Sequence, residues 1–162
     1  MRSKRIRDII KKEFKESWLN GNNLHKTNSF YDKEYHIPNS VEELKNDIKI
    51  AQGHIENLFG ISEGRINNLY TQKDIFDCDN FAFSLKTMIG IDHYRRYLDG
   101  LHENTGEYFC AVAIAKMPGL LGGYFVHAFN MFICCEHIYF YDMTNGKFWS
   151  IEEEMPNILQ LG

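Results

Sequence analysis

The chain is expected to adopt an α+β fold: a helical first half, then a central helix that starts at a cysteine and packs on an antiparallel sheet of three or four strands. Three observations carry this. Apolar residues recur at helical spacing near the N-terminus, the run after Cys78 is the most apolar helical stretch, and aromatic and β-branched residues dominate after Gly100.

Taken in order, Ile6, Ile9, Ile10, Phe14 and Trp18 predict an amphipathic helix from Arg5 to Trp18, stopped by Asn20-Gly21-Asn22-Asn23. Pro38-Asn39-Ser40 introduces a second helix, where Ser40 and Glu43 read as a capping box and Val41, Leu44, Ile48 and Ala51 as the buried stripe. Gly53, Gly60 and Gly64 then punctuate the chain, leaving at most a short helix over Ile55 to Phe59. Asp77 caps the central helix, which carries Phe81, Leu85, Met88 and Ile89 inward with Phe83 beside them. Strands are predicted over Tyr108 to Ala115, Tyr124 to Cys135, His137 to Asp142 and, after the Asn145-Gly146 turn, Lys147 to Ser150.

A length of 162 residues fits one domain spanning 1–162, mainly helical over 1–70, with the cysteine-bearing helix and the sheet over 71–162. With 44% hydrophobic and 25% charged residues, the composition is that of a soluble globular protein rather than a disordered or membrane one. A net charge of -4 offers no bulk attraction to nucleic acid. The early basic residues Arg2, Lys4, Arg5, Arg7, Lys11 and Lys12 read as the solvated face of the first helix. Neither a signal peptide nor a membrane-spanning stretch is apparent, so a cytoplasmic protein is expected. Cys78, Cys110, Cys134 and Cys135 are too few and too unevenly spaced for a disulfide framework. Adjacent strand residues point to opposite faces, so Cys134 and Cys135 read as structural rather than as a zinc pair. His25, His36, His54, His93 and His102 lie in polar stretches and read as surface residues.

A cysteine in the first turn of a buried helix sits where backbone N–H groups and the helix dipole favour the thiolate. Cys78 holds that place, although a free cysteine is commonly a small buried hydrophobe. The order of the other candidates tips the balance toward chemistry. His127 lies within an apolar strand, sharing a face with Phe129, Met131 and Ile133, as a base or as a satisfied core histidine, and Asp142 closes the next strand, as a carboxylate that fixes a histidine tautomer or as a turn residue before Asn145-Gly146. Asn145 is the alternative orienter. Gln72, six residues before Cys78, can pair with the Cys78 N–H to hold an oxyanion, or can be an ordinary loop glutamine. Asp77 and Asp79 flank the thiol. A carboxylate about 6 Å from sulfur opposes its ionisation by roughly 3 kcal/mol at an effective dielectric near 20. They are therefore read either as helix caps or, with Asp74 and Asn80, as oxygen ligands of a cation such as Ca²⁺.

The segments Asp77-Cys78-Asp79-Asn80-Phe81-Ala82-Phe83, His127-Ala128-Phe129-Asn130 and Tyr141-Asp142-Met143-Thr144-Asn145-Gly146 resemble the calcium-dependent papain-like protease domain attached to a mushroom agglutinin. Similar stand-alone domains occur in phage and bacterial proteins. The resemblance runs from about Asp74 to Trp149. It implies a papain/transglutaminase-like fold, Cys78 as nucleophile, His127 as base, Asp142 in place of the family's glutamate, and a divalent ion near the cysteine. The expected activity is hydrolysis of an amide or peptide bond in a peptide or protein substrate. Transglutaminase-like or cell-wall amidase chemistry shares the same triad, and a non-catalytic binding or inhibitory module is the reading from another class.

Overall fold

Strand alternation and helix periodicity both find their partners in the computed structural model, which describes residues 1–14, 34–62, 64, 66, 77–101, 106–118 and 123–161. Among these, three helices and an antiparallel sheet of five strands form an α+β architecture. The helices are α1 (Ser3–Glu13), α2 (Val41–Leu58) and α3 (Cys78–Leu98). The strands are β1 (Tyr35–His36), β2 (Glu107–Tyr108), β3 (Cys110–Pro118), β4 (Tyr124–Cys134), β5 (His137–Asp142), β6 (Lys147–Ser150) and β7 (Asn157–Leu161). The main sheet runs in the order β6-β5-β4-β3-β7, and β1 pairs separately, in parallel, with β2.

Alternation along the strands sends side chains to two cores. Ala111, Ala113, Phe129, Met131, Phe140 and Trp149 meet Ile6, Ile9, Ile10 and Phe14 of the α1 segment. On the opposite face Phe132, Cys134 and Tyr141 meet Leu44, Ile48, Ala51 and Ile55 of α2 and Phe81, Leu85 and Ile89 of α3. The sheet is thus covered on both sides, with β4 at its centre. No described helix is long and apolar enough to cross a membrane.

Several expectations are corrected. The sheet has five strands rather than three or four, because β7 joins the free side of β3. Its five residues follow Pro156, and only pairing across the fold reveals them as a strand. The strand expected to begin at Tyr108 divides at Phe109, so that Tyr108 pairs with His36 while Cys110 starts β3. α1 begins at Ser3, two residues before the expected start, and ends at Glu13; Trp18 lies outside the described residues. α2 passes straight through Gly53, because Ile55 and the buried Glu56 extend its packed stripe beyond Ala51. That packing outweighs the roughly 1 kcal/mol that glycine costs inside a helix. Ser40 caps α2 as expected, its Oγ accepting from the Glu43 N–H at 3.1 Å. The returning Glu43 carboxylate accepts from the Asn39 N–H at 2.8 Å instead of from Ser40. Phe83 faces outward, half exposed, rather than joining the core. His93 is buried, not at the surface: its Nε2 contacts the Gly106 carbonyl at 2.7 Å and its ring lies 4.6 Å from that of His36.

Candidate active site

Three elements meet where α3 begins. Asp77 caps the helix, its carboxylate accepting from the Asn80 N–H at 3.3 Å, which fixes Cys78 as the first helical residue. Asn130, fully buried on β4, donates from Nδ2 to the Ala82 carbonyl at 2.8 Å and also reaches Cys110 Sγ at 3.4 Å. It ties the first turns of α3 to the strand that carries His127. Sequence reasoning assigned Asn130 no role; its signal was a lone amide among the apolar residues of β4.

Cys78 packs against the cluster of Ala82, Val112 and Ala128 and is half-buried. Its thiol is held below the ordinary cysteine range, chiefly by interaction with the His127 ring, against burial and with help from the Ala128 backbone. The charge of Asp77 opposes this, but as a lesser influence. The feared cost of the flanking carboxylates is therefore outweighed where His127 is present.

β4 continues past the end of β5: Asn130 pairs with Tyr141, so residues before Asn130 extend beyond the β5 ladder. The last β5 residue, Asp142, reaches across that step to His127, its Oδ2 lying 2.8 Å from Nε2. Both residues are buried, and the ring sits between Phe125 and Phe129 at centroid distances of 5.8 and 6.3 Å. Burial disfavours the imidazolium, yet the hydrogen bonds and charges of Asp142 and Cys78 outweigh it and raise the His127 pKa to about 9. Burial likewise pushes Asp142 up, but His127 and Thr144 more than reverse it, so Asp142 is ionised. An ionised carboxylate only accepts, so Nε2 carries a proton and Nδ1 is the nitrogen free to exchange one with the thiol.

The loop after β5 completes the support of Asp142. Oδ1 accepts from the Thr144 N–H at 2.9 Å and from Thr144 Oγ1 at 2.6 Å, and the Asn145 amide donates to Oδ2 at 2.7 Å. Gly146, with φ of 72°, closes the loop by donating its N–H to the Asp142 carbonyl at 2.8 Å. Asn145 thus stands behind the carboxylate and does not take its place as the group touching the ring.

The structure joins His127, Asp142 and Asn145 by hydrogen bonds and sets Cys78 near enough to His127 for each to shift the other's pKa. Gln72 and Asp74 lie outside the described residues. Interaction between the neighbouring Asp77 and Asp79 carboxyls lowers the pKa of Asp77 and raises that of Asp79. Both are exposed, and Asp79 also accepts from the Asn80 N–H at 3.0 Å. Two carboxylates and one amide fall short of the six to eight oxygens that calcium takes, and no three His, Cys, Asp or Glu residues cluster as a metal site among the described residues. The described part of the candidate set does not by itself build a calcium site. Two cavities of about 270 and 280 Å³ lie elsewhere, one beside Tyr141 and Gln52 and the other beside His93 and Tyr94.

No family model matches the chain, and no curated protein does. Among solved structures it is similar to a Polyporus squamosus lectin bound to a human-type influenza-binding epitope, Neu5Acα2-6Galβ1-4GlcNAc. That likeness has a TM-score of 0.49 and 16% identity, and covers 81% of this chain and 40% of that one. A second similar structure, described as a PSL1a–E64 complex, gives a TM-score of 0.43 at 13% identity over 89% of this chain and 47% of that one. The chain therefore spans less than half the length of either.

Proposed function

We propose that the chain is a cysteine hydrolase of the papain/transglutaminase type, acting on an amide or peptide bond through Cys78, His127 and Asp142. The observation that carries this reading is the set itself: a helix-starting thiol whose pKa His127 lowers, an imidazole whose pKa Asp142 and Cys78 raise, and a buried carboxylate 2.8 Å from that ring. Opposite shifts in two interacting groups favour the thiolate and imidazolium over the neutral pair.

In this reading the Cys78 thiolate attacks the carbonyl carbon while the first N–H groups of α3 face the developing oxyanion. His127 then gives its proton to the leaving amine, and a thioester to Cys78 remains. Neutral His127 next takes a proton from water, whose oxygen attacks the thioester and releases the acid. Asp142 keeps the ring in one tautomer throughout. An amine in place of that water makes the same site a transglutaminase-like acyl transferase.

A deeply buried Cys78 with His127 remote from it favours a non-catalytic binding or inhibitory module. Cys78 is instead half-buried, and the His127 ring stands near enough to lower its pKa. The experiment is labelling of the whole chain with a thiol-directed electrophile at neutral pH, followed by a peptide-library assay for new amino termini. Rapid labelling lost in Cys78→Ala, together with amide cleavage lost in the same variant, is expected. Labelling at Cys78 no faster than at a simple thiol overturns the proposal.

A further inference from the structure

The hairpin that joins β4 to β5 places two thiols side by side. Its turn is Cys134-Cys135-Glu136-His137, with Cys134 paired to His137 and with Cys135 and Glu136 at φ of 52° and 67°. Strand alternation alone sends adjacent side chains apart, but the left-handed backbone at Cys135 swings its sulfur back, and the two Sγ atoms stand 3.5 Å apart. This corrects the expectation that the two cysteines face opposite ways. Both are free: Cys134 is fully buried, whereas Cys135 is exposed. Each thiol also points at a backbone carbonyl just before α2, Cys134 at Pro38 (3.6 Å) and Cys135 at Asn39 (3.4 Å).

From this we infer that Cys134 and Cys135 form a vicinal dithiol that reacts as one unit with small-molecule disulfides, closing to a disulfide between neighbouring residues. The exposed Cys135, as thiolate, attacks one sulfur of the small disulfide and expels the first small thiolate, leaving a mixed disulfide on Cys135. Cys134 then loses its proton and attacks the Cys135 sulfur, expelling the second. Two electrons pass from the cysteine pair to the small disulfide, which leaves as two thiols. Adjacent α-carbons across a trans peptide are about 3.8 Å apart, closer than the usual range for bridged cysteines, so the ring is strained. A strained disulfide open to solvent at Cys135 is readily reduced, which marks this pair as a reversible modification site rather than a structural staple.

The test exposes the whole chain to glutathione disulfide and maps the peptide holding Cys134 and Cys135 by mass spectrometry. The expected product has lost two hydrogens, carries no glutathione and returns to the dithiol with a reductant. Cys134→Ser is expected to stop at a stable glutathione adduct on Cys135. Phenylarsine oxide provides a second measurement that needs no variant, because a trivalent arsenical bridging both sulfurs protects both from alkylation. Persistent glutathione on Cys135 of the unmodified chain, or independent alkylation of the two thiols in the presence of the arsenical, overturns the inference.

Discussion

Replacing Asp142 with Asn keeps the shape of the side chain and removes what holds His127 in its working state. The carboxylate accepts four hydrogen bonds, two from Thr144 on Oδ1 and one each from His127 and Asn145 on Oδ2. An amide has only one acceptor oxygen. If that oxygen stays with the Thr144 backbone N–H, whose donor cannot turn away, the new NH₂ group faces His127 Nε2. The ring must then present a bare Nε2 and carry its proton on Nδ1, the nitrogen needed to take the proton of Cys78. The charge is lost as well. The gap between a His127 pKa of about 9 and the ordinary 6.5 represents about a 300-fold bias toward imidazolium. Cys78 contributes part of that bias and remains in the variant, so the expected loss in thiolate–imidazolium population is about 10²-fold. The assay is the rate of iodoacetamide alkylation at Cys78, read by mass spectrometry from acidic pH to above pH 9, with thermal unfolding as a control for folding. In the parent, reactivity rises at a pH below the ordinary cysteine range, and in Asp142→Asn the rise moves toward alkaline pH. A folded variant with the parent's rates and profile refutes the reasoning.

Linkage gives the pH dependence of stability. His127 has a raised folded pKa, so its contribution is fully present below about pH 6.5 and is lost as pH rises through about 9. Asp142 has a lowered one, so its contribution is present above the ordinary carboxylate range and fades as pH falls through its folded value. Urea unfolding at several pH values, compared with His127→Gln, is expected to show the parent's advantage shrinking between pH 6.5 and 9; a constant difference contradicts the assignment. Gly53→Ala is expected to stabilise the fold by about 0.5–1 kcal/mol, because an added Cβ meets nothing within 4 Å and α2 is continuous there. Denaturant midpoints check this, and a loss of stability indicates a helix interrupted at Gly53.

Read from the sequence, the candidate site was legible as three residues in order, and the sheet was legible as aromatic and β-branched runs. The ranges of β5 and β6 and the caps at Ser40 and Asp77 coincide with the structure because turn and capping chemistry acts over a few neighbouring residues. Period and order alone determined that Cys78 starts a helix and that Asp142 ends a strand. Tertiary structure decided what local signals do not encode. The pairing of β7 with β3 joins segments far apart in the chain, and the survival of α2 through Gly53 depends on a buried stripe. The clamp from Asn130 to Ala82 and the approach of Cys78 to His127 likewise arise only once α3 lies on β4. The turn that brings two sulfurs together at Cys134 and Cys135 set aside the alternation rule, because a left-handed backbone reverses the side-chain direction on which that rule depends.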